Sequence, residues 1–197
     1  MTTSEETTAT GILGGSFNPV HNGHIAVATH IMAAAGLAEV WLTVSPQNPL
    51  KARAELIDDG TRVDMARAAV EGIAGLGVCT VEMDMPRPSY TWLTMRELAR
   101  RYPRRRFTLL IGADNWLCFG RWRNAGELLR RYPIVVYPRR GCDIDTASMP
   151  SNVSYCRMPL IDVSSTAIRR LIRSRQPISH LVPAAVERII RERRLYL

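Results

Sequence analysis

The segment that most constrains the fold of this chain is a short apolar run followed by a glycine-rich turn and a helical pattern. The apolar run is Gly11–Leu13, the turn occupies Gly14–His24, and helical periodicity covers Ile25–Ala35. Glycine lets a backbone approach a ligand closely because no side chain intervenes. A helix N-terminus offers unpaired N–H groups and a partial positive charge to an anion. The segment therefore predicts a strand, a turn and a helix start that together suit a phosphate group.

Two histidines, His21 and His24, stand three residues apart in this turn, and this spacing places both on one side of the first helical turn. Each can donate a hydrogen bond to a phosphoryl oxygen, so the array suits phosphate chemistry on a nucleotide. Neither Gly-Lys-Ser/Thr nor Gly-x-Gly-x-x-Gly occurs here, so the turn is not a Walker A loop or a dinucleotide fingerprint. The competing interpretation is a glycine turn that carries two hydrogen-bonded surface histidines.

Short apolar runs alternate with helical patterns along the rest of the chain. Strands are predicted at Gly11–Leu13, Val40–Val44, Val78–Val81, Phe107–Ile111, Ile134–Tyr137 and, more weakly, Val153–Cys156. Helices are predicted at Ile25–Ala35, Arg62–Ile73, Trp92–Arg101, Ala125–Arg131, Thr166–Arg173 and Ala184–Arg194. This alternation predicts an α/β fold, a doubly wound Rossmann-like parallel sheet with helices on both faces. Ligands of such a sheet bind beyond the carboxyl ends of its strands.

The length of 197 residues fits one domain. Residues 1–9 are expected to form a disordered tail, and residues 10–197 a single domain. Within it, residues 164–197 are predicted to be a helical C-terminal cap, and 138–152 a loop rich in Gly, Pro, Asp and Ser.

No signal peptide or membrane span is predicted, because the polar N-terminus lacks a basic start and no apolar run is long enough for a bilayer. The four cysteines, at positions 79, 118, 142 and 156, show no metal-site spacing, which fits free thiols in a reducing compartment. We therefore expect a cytoplasmic protein without a membrane partner.

The formal net charge of +8 comes almost wholly from arginine, since only one of the 26 basic residues is a lysine. The arginines cluster at 100–106, 130–140 and 169–175. The first two clusters begin where helices are predicted to end, and cations there interact favourably with the helix dipole. A solvated basic surface with no nucleic-acid partner is therefore expected. A non-enzymatic nucleotide- or RNA-binding module is the alternative, and formation of a homo-oligomer stays open.

The single lysine, Lys51, ends a loop that follows the second predicted strand. Two prolines in Ser45–Lys51 make this loop irregular and stiff, and its position after a strand of the predicted parallel sheet places it at the same sheet edge as the glycine turn. A lysine supplies a compact, mobile point charge rather than a planar fork. We interpret Lys51 as a contact to a triphosphate; the alternative is an ordinary surface lysine.

A second phosphate-binding pattern lies in Asp162–Arg169. Ser164 or Ser165 can cap a helix, while the other hydroxyls and N–H groups can bind phosphate oxygens. Arg169 lies on the first helical turn beside them. Taken alone, the pattern could equally be a well-capped helix.

The end of the fourth main strand and the residues after it supply further candidates. Gly112 permits close backbone approach, and Asp114 can accept hydrogen bonds from ribose hydroxyls, carry a metal-bound water or cap the next helix. One of Trp116 and Trp122 is expected to pack in the core, and the other can stack on a flat heteroaromatic ring. Thr91, where another helix starts, is either a cap or a ligand to a small polar group.

The motifs together resemble those of the nucleotidylyltransferase superfamily. Its signatures G-x-F-x-P-x-H-x-G-H and S-S-T-x-I-R match within Gly14–His24 and Ser164–Arg169. Over residues 10–197 the chain resembles bacterial nicotinate-nucleotide adenylyltransferases, a branch marked by Pro88–Thr91, Ile111–Asp114 and the downstream Trp122. Two positions depart from this branch: Asn18 stands where many members have Asp, and Arg123 where members often have Tyr.

The resemblance implies transfer of an adenylyl group from ATP to nicotinate mononucleotide, giving deamido-NAD and pyrophosphate in NAD biosynthesis. It implies that ATP brings Mg²⁺, which bridges phosphate oxygens and waters with few protein ligands; no metal ligand is assigned. An adenylyltransferase acting on nicotinamide mononucleotide or phosphopantetheine is the alternative enzyme.

The resemblance also assigns site residues by role. The catalytic residues are His21, His24, Lys51 and Arg169. The ATP-binding residues are Gly14, Gly15, Ser16, Phe17, Gly23, Gly112, Asp114, Ser164, Ser165 and Thr166. The residues that bind the nicotinate nucleotide are Ser89, Tyr90, Thr91, Trp116, Trp122, Arg123 and Arg139.

Overall fold

The computed structural model describes residues 7–47 and 56–197, and a six-stranded parallel sheet lies at its centre. The strand order is β3-β2-β1-β4-β5-β6, and every neighbouring pair is parallel. The strands are β1 (Thr8–Gly15), β2 (Glu39–Val44), β3 (Leu76–Cys79), β4 (Arg105–Gly112), β5 (Ile134–Tyr137) and β6 (Val153–Tyr155). The predicted α/β fold is confirmed.

Helices cover both faces of the sheet. They are α1 (Asn22–Ala34), α2 (Asp59–Val70), α3 (Thr91–Arg101), α4 (Ala113–Leu117), α5 (Ala125–Arg131), α6 (Ser165–Arg173) and α7 (Ala184–Glu192). One apolar cluster joins buried residues of α1, α2, α6 and α7 to the sheet, and the other joins α3, α4 and α5. Leu13 and its neighbour Ile12 belong to different clusters, because successive strand residues face opposite sides.

Several element boundaries differ from the sequence-based predictions. β3 ends at Cys79, and Val81 begins a 3₁₀ turn at Val81–Asp84 rather than ending the strand. β1 begins at Thr8, so Thr8 and Ala9 pair with β4 instead of belonging to the tail. Helix α4 was not predicted from periodicity. The C-terminal segment forms two helices, α6 and α7, with residues 174–183 between them.

Helices α3 and α5 end in the same way, with two arginines in the last turn of each. Glu97 accepts hydrogen bonds from Arg100 and Arg101, and Glu127 pairs with Arg131 in the last turn of α5. These arginines are one third exposed or more, in line with a solvated helix surface. Surface pairs of this kind contribute little to stability.

The order of the strands reverses at β1, which lies between β2 and β4. Such a reversal opens a crevice at the carboxyl ends of the two central strands. The glycine turn leaves β1 at this crevice, and Gly112 ends β4 beside it. Within residues 7–47 and 56–197, no helix has both the length and the apolar character to span a bilayer.

Candidate active site at the carboxyl ends of the strands

The glycine turn after β1 is shaped by Phe17. This residue has φ 46°, in the left-handed region, and its ring is buried. A Cβ on Gly15 would lie 3.0 Å from the Phe17 ring, tighter than ordinary contact, whereas a Cβ on Gly14 would meet no described atom within 4 Å. Gly15 is therefore required by the packing of the turn, while the space over Gly14 is open for close approach.

His21 and His24 meet at the start of α1. His21 is the N-cap residue, and its ring stacks on that of His24 with centroids 3.6 Å apart. A Cβ on Gly23 would lie 3.0 Å from Nδ1 of His21 and 2.9 Å from Cγ2 of Ile161, so glycine is needed between the two histidines. The first turn of α1 holds no acidic residue, which leaves the positive end of the helix dipole available to an anion.

The hydrogen bonding of His24 fixes its tautomer. The backbone N–H of His21 donates to Nδ1 of His24 across 3.2 Å. Because Nδ1 is the acceptor, the ring is neutral and carries its proton on Nε2. His24 therefore presents Nε2–H as the donor of its ring.

Burial keeps His21 neutral. The residue is 3% exposed, and its pKa falls from 6.5 to about 3, first because burial disfavours the charged form and then because Arg139 lies nearby. A neutral imidazole has one N–H donor and one acceptor. His21 can thus donate a hydrogen bond to a phosphate but cannot add a positive charge at neutral pH.

The second predicted phosphate motif lies directly against the first. Ser164 is the N-cap of α6 and accepts from the backbone N–H of Ala167 across 3.2 Å, so the capping prediction is confirmed for Ser164. The hydroxyl of Ser165 donates to the carbonyl of Pro19 across 2.9 Å. The start of α6 is therefore attached to the loop that leads into α1.

Arg169 connects the same two segments. Its side chain is buried, and Nη1 donates to the carbonyl of Asn18 across 3.0 Å. Nη2 lies 3.5 Å from Oγ1 of Thr166. Asn18 also accepts a hydrogen bond at Oδ1 from the hydroxyl of Tyr196, 2.9 Å away. Since an Asp carboxylate could accept the same bond, the departure at Asn18 preserves this contact.

Arg139 lies on the phosphate side of the site. It lines a pocket together with His21, Gly23 and His24, and apolar residues from β1, α1 and the segment 158–163 complete the walls. Its Nε lies 3.7 Å from Oδ1 of Asp114 and forms no hydrogen bond with any described residue. The pocket therefore combines neutral histidine donors with one guanidinium group.

The end of β4 is crowded. A Cβ on Gly112 would lie 2.4 Å from Oδ1 of Asp114 and 3.0 Å from Arg139, so a side chain here would displace both of these side chains. Gly112 is the N-cap residue of α4, and Asp114 is the second residue of that helix. The alternative role of Asp114 as N-cap is therefore wrong. Its half-exposed carboxylate stays a candidate for ribose hydroxyls.

Most of the predicted nicotinate residues lie in two segments that touch, while Trp116 lies in α4 and Arg139 follows β5. Cζ of Arg123 lies 4.8 Å from the centre of the Tyr90 ring, a cation–π contact. Tyr90 is the N-cap residue of α3 without a side-chain cap bond, and Thr91 is the first helical residue, so the alternative role of Thr91 as cap is wrong. The structure thus joins the loop after β3 to the loop that carries Trp122.

Trp116 and Trp122 both pack against the buried ring of Phe119. The ring centroids are 5.4 Å apart for Trp116 and 5.3 Å apart for Trp122. Both tryptophans are half-buried, so neither belongs wholly to the core. Nε1 of Trp122 and the hydroxyl of Ser89 are buried and have no hydrogen-bond partner among the described residues. Buried polar atoms are normally paired, so both atoms are candidates for ligand contact.

The sequence analysis missed two buried charged residues, Arg62 and Glu82. The Arg62 guanidinium binds backbone carbonyls at the ends of β1 and β2. Glu82 accepts hydrogen bonds from the hydroxyls of Ser45 and Thr94, the latter across 2.8 Å. A fully buried charged residue is rare, so its burial would have indicated a special role. A single sequence, however, does not show which charged residue is buried. Lys51 lies outside the described residues.

Comparison with known proteins gives consistent matches over nearly the whole chain. The family described as cytidylyltransferase-like matches residues 12–171. A Bacteroides fragilis protein named "Probable nicotinate-nucleotide adenylyltransferase" is 41% identical over 94% of this chain and 92% of its own length. A protein of the same name from Bacteroides thetaiotaomicron is 39% identical over 93% of this chain and 91% of its own length.

Solved structures share the fold at lower identity. Plasmodium falciparum nicotinic acid mononucleotide adenylyltransferase complexed with NaAD superposes with a TM-score of 0.78. The match covers 96% of this chain and 97% of that one at 18% identity. The same enzyme complexed with APC gives a TM-score of 0.73. At this identity the likeness concerns the fold alone.

Proposed function

Since this chain belongs to the cytidylyltransferase-like family and, within it, to the nicotinate-nucleotide adenylyltransferases, we propose that it transfers the adenylyl group of ATP to nicotinate mononucleotide. The products are deamido-NAD and pyrophosphate, and the step belongs to NAD biosynthesis. The observation that carries the proposal is the contact between the two phosphate motifs: Ser165 and Arg169 bind the backbone of Pro19 and Asn18, next to the stacked histidines.

The proposed reaction is an in-line substitution at the α-phosphorus of ATP. An oxygen of the mononucleotide 5′-phosphate forms the new bond, and the bond from the α-phosphorus to the oxygen that bridges it to the β-phosphate breaks. The attacking group is already an anion, so neither a general base nor a covalent intermediate is required. The work of the protein is then to orient the two phosphates and to stabilise the charge that develops.

The helix-start residues supply that stabilisation. We assign the Nε2–H of His24 to the charge that develops at the transferred phosphate, because its tautomer is already set by the bond to the backbone of His21. His21 donates from a neutral ring. Arg169, with the hydroxyls of Ser164, Ser165 and Thr166, is assigned to the triphosphate. The open backbone at Gly14, with Gly15, Ser16, Phe17 and Gly23, forms the floor.

Arg139 is assigned to the phosphate of nicotinate mononucleotide. The sequence prediction placed it with the nicotinate nucleotide, while the structure places it in the pocket of His21 and His24. The predicted role of Arg139 and its location are consistent if the 5′-phosphate of nicotinate mononucleotide enters this pocket to attack the α-phosphorus of ATP. Gly112 and Asp114, next to Arg139, are assigned to the ATP ribose.

The pyridine ring is assigned to the contact region between the two loops. Trp122 supplies an aromatic face, and Trp116 packs against the other partner of that ring, Phe119. Tyr90 contacts Arg123 of the same loop as Trp122, and Ser89 and Thr91 are its neighbours in the chain. If the residue at 123 uses its backbone N–H to bind the carboxylate, then the departure to Arg leaves that function intact.

We propose that a metal ion, Mg²⁺, enters this site together with ATP. No group of three or more His, Cys, Asp or Glu side chains able to hold a metal occurs within residues 7–47 and 56–197. Mg²⁺ bound to the triphosphate would neutralise part of its charge, and the half-exposed carboxylate of Asp114 is assigned to a water of that ion. Lys51 stays a sequence-based prediction: Lys51→Met should weaken use of ATP more than binding of the mononucleotide.

The first test is pyrophosphate release by the purified protein with Mg-ATP and one acceptor at a time. Nicotinate mononucleotide, nicotinamide mononucleotide and phosphopantetheine are compared at equal concentration, with the His24→Ala variant as the control for contaminating activity. Release with the nicotinate nucleotide in strong preference to the others is expected. Preference for another acceptor would overturn the assignment of the ring site. No release with any acceptor would favour the non-enzymatic nucleotide-binding module.

A further inference from the structure

Arg62 is a completely buried arginine outside the residues assigned to substrates. It lies on α2, and its exposed fraction is 0%. A guanidinium in this environment is costly unless each of its N–H groups finds an acceptor. The described contacts show where those groups are directed.

All five N–H groups of Arg62 have acceptors. Nη1 donates to the carbonyls of Ser16, across 2.6 Å, and Ser45, across 2.7 Å. Nη2 donates to the carbonyl of Pro46 across 3.4 Å and to the carboxylate of Asp59. Nε donates to the carbonyl of Ile57 across 3.3 Å. Four of the five acceptors are backbone carbonyls.

Three of these carbonyls, those of Ser16, Ser45 and Pro46, belong to segments that leave the sheet at the proposed active site. Ser16 follows β1 in the glycine turn, and Ser45 and Pro46 follow β2. Between them, the backbone N–H of Ser45 donates to the carbonyl of Gly15 across 2.8 Å, where the two segments leave the sheet. Arg62 therefore sets the separation of the two segments directly after the ends of β1 and β2.

The same network reaches the loop after β3. The other oxygen of Asp59 accepts from Arg87 across 2.6 Å. The backbone N–H of Ser89 donates to the carbonyl of Gln47 across 3.0 Å. The loop assigned to the nicotinate nucleotide is thus attached to the segment that Arg62 holds, and all three loops share one support.

We propose that Arg62 is a positioning residue for the adenylyl transfer, which sets the spacing of the loops after β1, β2 and β3 without touching either substrate. The inference rests on the proposed function. A displacement of about 1 Å in a catalytic group can cost roughly 10²-fold in rate, so loss of this spacing affects turnover more than binding. Lysine cannot replace Arg62, because an ammonium has three donors and no planar fork.

The test compares Arg62→Lys with the matched control Arg193→Lys. Arg193 also binds α2, through Thr61 and Asp64, but within residues 7–47 and 56–197 it forms no hydrogen bond with the three loops, and it is nearly half exposed. For each variant kcat, KM for both substrates, the unfolding midpoint and amide hydrogen exchange by NMR are measured. Exchange at Ser45 reports the loop junction, and exchange at Leu42 in β2 reports the sheet.

Arg62→Lys is expected to lower kcat at least about tenfold, with both KM values within threefold of the parent. Exchange at Ser45 should accelerate at least about tenfold, while exchange at Leu42 stays near the parent rate. Arg193→Lys should leave kcat within twofold. A folded Arg62→Lys enzyme with parental kcat and parental exchange at Ser45 would overturn the proposal, as would equal acceleration at Ser45 and Leu42.

If Arg62→Lys does not fold, Asp59→Asn decides the question, since this partly exposed carboxylate supports one of the five bonds. A threefold or greater loss of kcat with faster exchange at Ser45 supports the positioning role, and parental values of both overturn it. Hydrogen exchange is independent of activity. If the parent protein is inactive with all acceptors, the proposed function is wrong. The exchange data then still test whether Arg62 stabilises the bond between Ser45 and Gly15.

Discussion

The imidazole rings of His21 and His24 stack at the start of α1 with 21° between their planes, and the backbone N–H of His21 binds Nδ1 of His24. The first of these rings is buried and the second is half-buried. One histidine therefore aligns the other before any ligand arrives. The pair behaves as a preorganised donor unit rather than as two independent side chains.

Replacing His24 by Ala should lower kcat by roughly 10²–10³, the cost of removing one donor to the charge that develops in the transition state. The fold should persist, because the lost bond to the backbone of His21 contributes only about 0.5–1.5 kcal/mol. Steady-state pyrophosphate release and circular dichroism measure the two effects. His30→Ala, an exposed histidine on the same helix, is the control and should keep parental kcat. An unchanged kcat in His24→Ala would remove His24 from the chemistry.

The stability of the protein should fall as the pH drops from 7 to 5, in part because of His21. Its pKa is about 3 in the folded protein and 6.5 when unperturbed, so between these values the unfolded state binds a proton that the folded state does not. The free energy of unfolding then decreases by up to about 1.4 kcal/mol per pH unit on acidification. Urea unfolding of His21→Gln at pH 7, 6 and 5 should give a flatter dependence than the parent.

The control for this measurement is His30→Gln, which removes an exposed histidine of the same helix and shows the effect of the substitution itself. Glu97, whose pKa is lowered from 4.5 to about 2 by Arg100 and then Arg101, affects the pH dependence mainly below pH 5, and it does so equally in the parent and in both variants. The same slope in His21→Gln and the parent would show that the folded-state pKa of His21 is not depressed.

Arg169→Lys should reduce kcat/KM for ATP by about 10- to 100-fold, because a lysine cannot bind the carbonyl of Asn18 and a phosphate with one planar group. Arg170→Lys is the matched control, since Arg170 is the exposed neighbour on the same helix. Initial rates at varied ATP concentration distinguish the two variants. Equal behaviour of the two variants would refute the assignment of Arg169 to the triphosphate.

Trp122→Ala should raise KM for nicotinate mononucleotide about tenfold, within the range of roughly 1–3 kcal/mol for loss of a base–aromatic stack. KM for ATP should change less than twofold. Trp122→Phe preserves a ring but removes Nε1–H, so it separates stacking from hydrogen bonding. If Trp122→Phe is as defective as Trp122→Ala, then the N–H and not the ring face makes the contact.

The fold was largely predictable because buried parallel strands and amphipathic helices leave different periodicities. The errors occurred where periodicity carries no information. Val81 is 4% exposed in a 3₁₀ turn, so its burial resembles that of a strand residue. Thr8 and Ala9 look like a polar tail, yet they extend β1 by pairing with Arg105 and Arg106 of β4. Pairing partners so distant in sequence are not visible in a local pattern.

The site residues that contact substrates through their side chains were predictable from sequence motifs. The residues that bind and position the backbone of the loops were not. His21, His24, Ser165 and Arg169 stand in motifs, and the structure brings these motifs together. Arg62 resembles the other arginines of a chain that has 26 basic residues, and its carbonyl acceptors have no sequence signature.

The bond between Tyr196 and Asn18 also bears on how the protein is made. It joins residues 178 positions apart, one in the first loop of the site and one in the turn that follows α7. At a synthesis rate of about 5–20 residues per second, Asn18 is translated roughly ten seconds or more before its partner. The nascent chain can therefore form β1 and α1 early but cannot complete the support of the phosphate turn. Activity should appear only after Tyr196 has been translated, and removal of a few residues around Tyr196 should impair a site that was translated first.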